Sequence, residues 1–242
     1  MTKTALVTGA ARGIGAATAE ALAAAGYHVL VTDVLAELGR ETASKINQNG
    51  GRAEFASMDV ADTATVNRVI DTAERQHGAF EVIVNNAAFV RPKPLETLTD
   101  ADWDAVLDAN LKGMMRVCRA ATPAMKQARC GSIVCLSSIA GHTVGWAGSL
   151  AYSSSKAGIA GFVKTLAMEL GPFNIRVNGI APAALHTTAD QVPLGRVGTP
   201  ADIANAVMML VSPLAGFITG QTINVDGGFS VALFRQDTLK RT

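Results

Sequence analysis

The sequence predicts a doubly wound α/β fold, a parallel sheet of about seven strands with helices on both faces, on three observations. Short β-branched runs alternate with longer, Ala-rich stretches of helical period. Runs such as Ile83-Val84 and Ile133-Val134 are apolar on both faces, as a sheet covered on both sides requires. No Pro/Gly/Ser-rich linker, composition shift or fixed-period repeat interrupts the alternation.

Taken in order, the first strand runs from Thr4 to Thr8 and leads through a glycine-rich turn into a helix from Gly13 to Ala25. The β-branched run His28 to Thr32 is the second strand, and the periodic stretch Leu35 to Gln48 the second helix. Ala53 to Met58, helix Thr63 to His77 and strand Val82 to Asn85 repeat the unit. One long helix is expected from Asp100 to Gln127, then strand Ser132 to Leu136, helix Tyr152 to Leu170, strand Ile175 to Ile180, helix Pro200 to Val211 and strand Thr222 to Val225. The stretches 183–198 and 230–242 carry no clear period. A single domain over residues 1–229 is expected, followed by a tail over 230–242 at a subunit interface.

Composition narrows the function classes. Of 242 residues, 49% are apolar and 17% charged, enough apolar volume for a core and no sign of disorder. With 21 Lys+Arg against 20 Asp+Glu and no long run of either sign, neither a nucleic-acid groove nor a membrane-binding patch is expected. Cys118, Cys130 and Cys135 lack paired zinc-ligand spacing, and an odd count of three fits reduced thiols. No apolar stretch near Met1 to Val7 reads as a signal peptide or membrane span, so a cytoplasmic protein is expected. His28, His77 and His186 share no ligand spacing, and no metal is expected.

The turn after the first strand, Thr8-Gly9-Ala10-Ala11-Arg12-Gly13-Ile14-Gly15, puts glycines at 9, 13 and 15. Such a turn lets the backbone bend sharply and brings a helix N-terminus close to a pyrophosphate. Asp33, about twenty residues after the glycines, can accept hydrogen bonds from ribose hydroxyls or cap the next helix. A carboxylate there repels a 2′-phosphate and favours NAD over NADP. Arg12 is the one nearby cation able to pair with that phosphate.

Tyr152 and Lys156 stand four apart, on one face of a helix, one turn from each other. A phenol titrates near about 10 in isolation, and an adjacent ammonium favours the phenolate and so proton exchange nearer neutrality. Taken with the glycine turn, Asn85-Asn86-Ala87, Asn110, Ser138 and Val225-Asp226-Gly227-Gly228, this pair gives an ordered motif set spanning residues 4–229. In that set the chain resembles the short-chain dehydrogenase/reductase family.

The resemblance implies a Rossmann-like fold and a hydride transfer between a nicotinamide cofactor and a carbonyl or alcohol carbon. By it, Tyr152 is the general acid/base, Lys156 lowers its pKa and holds the nicotinamide ribose, and Ser138, rather than Ser137, bonds the reacting oxygen. Asn110 corresponds to a helix-kinking asparagine that holds a water linking Lys156 to solvent. Cofactor contacts fall on Gly9, Arg12, Gly13, Ile14, Gly15, Asp33, Asp59, Val60, Asn86 and Ala87, on Tyr152 and Lys156, and on Pro182, Leu185 and Thr187 beside the carboxamide. Ala88 and Ala183 stand where the family more often has glycine, and the short stretch between Pro182 and Pro193 leaves little chain for a lid over the substrate. His142 and Trp146, in the loop after Ser138, are expected to border that substrate or to pack on the surface.

The resemblance further implies a homotetramer in which the helices Asp100 to Gln127 and Tyr152 to Leu170 pair between subunits. The function expected is an NAD-dependent dehydrogenase acting on a secondary alcohol or its ketone, with a small-molecule substrate and neither nucleic acid nor membrane as partner. The alternatives are an NADP-dependent reductase of 3-oxoacyl thioesters, which the region from Leu194-Gly195-Arg196 to Gly228 also resembles, and a catalytically idle protein that senses the nicotinamide redox state.

Overall fold

The computed structural model describes residues 3–183 and 188–232. Leu185, His186, Thr187 and the tail from residue 233, with Phe234, lie outside the described residues.

Seven parallel strands form one sheet: β1 (Thr4–Thr8), β2 (His28–Asp33), β3 (Arg52–Ser57), β4 (Val82–Asn85), β5 (Gly131–Leu136), β6 (Ile175–Pro182) and β7 (Thr222–Val225). The strand order is β3-β2-β1-β4-β5-β6-β7, so the direction of winding reverses between β1 and β4. A crevice for a ligand opens outside the carboxyl ends of the strands at such a reversal. The helices are α1 (Gly13–Ala24), α2 (Ala36–Gln48), α3 (Thr63–His77), α4 (Asp100–Leu107), α5 (Gly113–Ala128), a short kinked turn α6 (Ile139–His142), α7 (Leu150–Leu170) and α8 (Pro200–Val211).

Side chains alternate across the sheet and both faces are buried. Leu6, Ile83, Ile133 and Val177 pack under α3, α5 and α7 in one cluster. Ala5, Val7, Val29, Val31 and Val84 pack under α1 and α8 in the other. Burial on both sides is why the strands are near-continuously apolar. Polar side chains fix several helix starts. Asp62 accepts from the Ala64 amide at α3, while Thr99 with Asp102 and Thr199 with Asp202 form capping boxes at α4 and α8.

The single helix expected from Asp100 to Gln127 is in fact two. A π-turn, Asp108–Lys112, separates α4 from α5 and widens the helix around the fully buried Asn110. The physical reason lies in that side chain, which bonds two other segments and holds the turn open. β6 also runs two residues past the expected Ile180, because Ala181 and Pro182 continue to pair with Asn224 and Val225. The stretch between Pro182 and Pro193 ends in a short 3-10 turn, Ala189–Gln191, closed by a Thr188–Gln191 capping box. Among the described residues, no helix is long and apolar enough to cross a membrane.

Candidate active site

The parallel sheet delivers the candidate residues to one edge, since each lies at or just beyond the carboxyl end of a strand or on a helix packed there. After β1, Gly9 adopts φ +63°, and a Cβ built on it would come within 2.7 Å of the Ala87 backbone. A Cβ on Gly15 would meet the Gly9 carbonyl at 2.2 Å, so only glycine lets α1 approach the loop this closely. The loop is cross-braced to the end of β4. The Thr8 hydroxyl accepts from the amides of Asn86 and Ala87, both at 3.0 Å, and Asn86 Nδ2 donates to the carbonyls of Thr8 and Gly9 at 2.9 and 2.8 Å. Arg12 is the N-cap of α1 but makes no side-chain cap bond, and it is exposed. The uncapped first turn of α1 faces this loop, and orphan amides there suit an anion such as a pyrophosphate. Gly13 is left-handed at φ +60° with nothing within 4 Å of a built Cβ, and Ile14 packs on the core beneath.

Asp33 ends β2 half-buried, and both of its carboxylate oxygens have work. Oδ2 accepts from the Ala11 amide and Oδ1 from the Leu35 amide, each at 3.0 Å. The carboxylate is thereby fixed between the glycine loop and the entry to α2, whose N-cap is Leu35, not Asp33. Beyond β3, Asp59 is exposed and accepts from the Ala61 amide at 2.9 Å, while Val60 is buried against Gly113. Pro182 closes β6, buried beside Val225.

Ser138 follows β5 and Tyr152 lies in the first turn of α7, and the Ser138 hydroxyl comes near enough to the Tyr152 phenol to favour its ionised form. The Ser137 hydroxyl instead donates to the Lys156 carbonyl at 2.8 Å, which commits it to the backbone. Burial raises the Tyr152 phenol above its ordinary value, with the Ser138 hydroxyl pulling the other way. Lys156 is 2% exposed, and burial lowers its ammonium to about 8. Its Nζ sits 5.7 Å from the centre of the Tyr152 ring but donates to the Leu136 carbonyl at 2.6 Å. The expected lowering of the phenol by this ammonium is therefore not what the geometry gives. Nζ is turned to the strand end, and desolvation dominates.

Asn110 meets its neighbours fully. Its Oδ1 accepts from the Phe89 amide at 2.6 Å, and its Nδ2 donates to the Phe89 carbonyl and to Ser155 Oγ, both at 3.0 Å. Ser155 Oγ in turn donates to the Tyr152 carbonyl at 2.6 Å. One amide thus ties the loop after β4 to the helix that carries Tyr152. His142 is half-buried and Trp146 is 42% exposed in the loop before α7.

Sequence reasoning passed over two groups that shape this edge. Arg116, 6% exposed, reaches Asp108 Oδ1 at 2.8 Å, the Val60 carbonyl at 3.3 Å and Thr63 Oγ1 at 3.1 Å. It locks the π-turn to the loop after β3 and the start of α3, and its presence in the apolar stretch Met114-Met115-Arg116-Val117 was the available signal. Asp102, buried, takes Arg91 at 2.7 Å and Lys93 at 2.6 Å, which hold its carboxyl well below the usual range. The Lys93 amide also donates to the Gly148 carbonyl at 2.8 Å, joining the loop after β4 to the loop before α7.

Known proteins agree with this arrangement. Residues 9–230 match the family model described as enoyl-(acyl carrier protein) reductase. The "short-chain reductase protein NovJ" of Streptomyces niveus is 41% identical over 244 residues, covering 93% of this chain and 92% of that protein. The 3-oxoacyl-[acyl-carrier-protein] reductase FabG of Aquifex aeolicus is 39% identical over 240 residues, covering 93% and 96%. A solved structure described as a putative short-chain alcohol dehydrogenase from Sinorhizobium meliloti superposes with a TM-score of 0.90 at 36% identity, covering 95% of this chain and 96% of that one. Sheet order, glycine loop and nearly full-length similarity converge, and the chain belongs to the short-chain dehydrogenase/reductase family of nicotinamide-dependent oxidoreductases.

Proposed function

We propose that the chain transfers a hydride between NAD(H) and a secondary alcohol or the matching ketone, with Tyr152 exchanging the proton. The observation that carries this reading is the placement of the Ser138 hydroxyl beside the Tyr152 phenol, one helical turn from the buried Lys156. A nicotinamide dinucleotide, when bound, would supply or accept the hydride. In the reducing direction the Tyr152 phenol gives its proton to the carbonyl oxygen while the Ser138 hydroxyl bonds the same oxygen and stabilises the charge growing on it. Lys156 holds the ribose and Asn110 keeps the Tyr152 helix in register with the loop after β4. Gly9, Gly13, Ile14, Gly15, Asn86 and Ala87 would hold the phosphates, Asp59 and Val60 the adenine, and Pro182 the carboxamide, toward which the resemblance also assigns Leu185 and Thr187, outside the described residues.

Asp33 supports NAD. In this reading the carboxylate, held by two amides, would face the adenosine ribose, where its charge would repel a 2′-phosphate. Wild-type kcat/KM is expected to favour NAD over NADP, with Asp33→Ala lowering that ratio by about tenfold or more. A wild-type enzyme that prefers NADP would refute this role.

A second reading, reduction of 3-oxoacyl thioesters with NADP, draws on the name carried by relatives such as the Aquifex aeolicus protein and on the exposed Arg12 at the loop. Assaying a 3-oxoacyl thioester and a panel of secondary alcohols, each with both cofactors, separates the two by which pair turns over.

The raised phenol gives a pH dependence with a definite sign. Below its pKa Tyr152 keeps its proton, so reduction retains its proton donor through neutrality, whereas oxidation needs the phenolate and is expected to accelerate as pH rises. An oxidation rate that is flat from about pH 6 to 10, with chemistry rate-limiting, would contradict the assignment.

A cytoplasmic homotetramer completes the reading. Met115, Phe162 and Leu166 line a groove on the outer faces of α5 and α7, and Met168 nearby in α7 is 80% exposed. Pairing of these helices between subunits would cover that apolar surface.

A further inference from the structure

The opposite edge of the sheet, at the amino ends of its strands, gathers three metal-ligating side chains. His28 opens β2, Glu54 is the third residue of β3, and His77 closes α3. The parallel register pairs His28 with Arg52 and Leu30 with Glu54, so His28 and Glu54 project to the same face. That is the face α3 covers, since Leu30 packs with Val66, Ile70 and Ala73. His77 lies one turn beyond Ala73 and so arrives on the same side. The two imidazole rings meet edge to face with centroids 4.3 Å apart, and His77 Nε2 lies 3.0 Å from Glu54 Oε1. One ligand atom from each of the three residues lies within 4.8 Å of the others; His28 and Glu54 are half-buried and the His77 side chain is 29% exposed. The sequence spacing of His28 and His77 had suggested no ligand set. The sheet register supplies one, with a glutamate as the third member, while His186 lies outside the described residues.

We infer that His28, Glu54 and His77 form a binding site for a divalent transition-metal ion of the zinc type. Two imidazoles and one carboxylate are the donors such an ion prefers, and three protein ligands leave a fourth position for water. Tetrahedral bonds of about 2.0 Å put ligand atoms about 3.3 Å apart, so the cluster must close by at most about 1.5 Å, within reach of side-chain rotation. Arg52, whose guanidinium donates to the Gly26 carbonyl, adds a positive charge beside His28. That charge disfavours calcium or magnesium, which are held by carboxylate charge, more than an ion held by nitrogen bonds. An ion here would clamp β2, β3 and α3 together, at the far end of the strand that carries Asp33.

The test uses tag-free, chelator-treated full-length protein titrated with zinc chloride by calorimetry, with cobalt(II) absorption as a probe of coordination. One ion per chain, micromolar or tighter affinity, a cobalt spectrum of four-coordinate type and a Tm that rises by several degrees with zinc are expected. His77→Ala and the near-isosteric Glu54→Gln should each weaken binding by about tenfold or more and shrink the Tm rise, with circular dichroism and turnover unchanged. Glu54→Gln decides the matter if His77→Ala folds poorly. Absence of saturable zinc binding in the wild type would overturn the inference and leave only an ion pair beside a packed ring. Equal binding in wild type and Glu54→Gln would also overturn it, because the ion would then sit elsewhere, for example at the exposed Cys130.

Discussion

Tyr152→Phe is expected to lower kcat by about a hundredfold to ten-thousandfold while the dissociation constant for NADH changes little. The ring and its packing survive the substitution. What disappears is the transferable proton and the hydroxyl that stands beside Ser138. Activity within about tenfold of wild type would remove Tyr152 from the chemistry and, with it, the main support for the proposed reaction.

Lys156→Ala should damage two properties at once. The ammonium is buried, held by the Leu136 carbonyl at 2.6 Å and 5.7 Å from the centre of the Tyr152 ring. Turnover is expected to fall by about a hundredfold or more, and NADH affinity by about fivefold or more. Because deleting so large a buried side chain also leaves a cavity, Lys156→Met serves as the control, keeping the packing while removing the charge. If Lys156→Met binds NADH as tightly as wild type, the ribose role is wrong.

How far these residues were legible depended on how local their signals are. The strands were readable to within one or two residues because burial on both faces leaves apolar runs whose ends are set by the register of their neighbours. Tyr152 and Lys156 were readable because a four-residue spacing on a helix fixes their adjacency. The break at Asn110 was legible only through the family resemblance, which made it a helix-kinking asparagine; the helical period alone ran straight through, since the π-turn depends on Asn110 bonding Phe89 and Ser155, residues 21 and 45 positions away. Arg116 failed for the same reason, with its partner Thr63 lying 53 positions back. The direction of the Tyr152 shift depended on where a flexible lysine head turns, which the spacing of two residues does not specify. The His28, Glu54 and His77 grouping required the pairing of β2 with β3 before it could be seen at all.

The brace between Thr8 and Asn86 bears on how the molecule acquires its binding loop. Those hydrogen bonds close a span of 78 residues, and β1 has no hairpin partner; it pairs with β2 and with β4. During synthesis the glycine loop and α1 leave the ribosome well before β4 exists, so the loop has no Asn86 to seat against. Its final shape waits for a long-range strand pairing, the kind of contact that slows folding. The finished loop is therefore a late product of folding, complete only once the centre of the sheet has assembled.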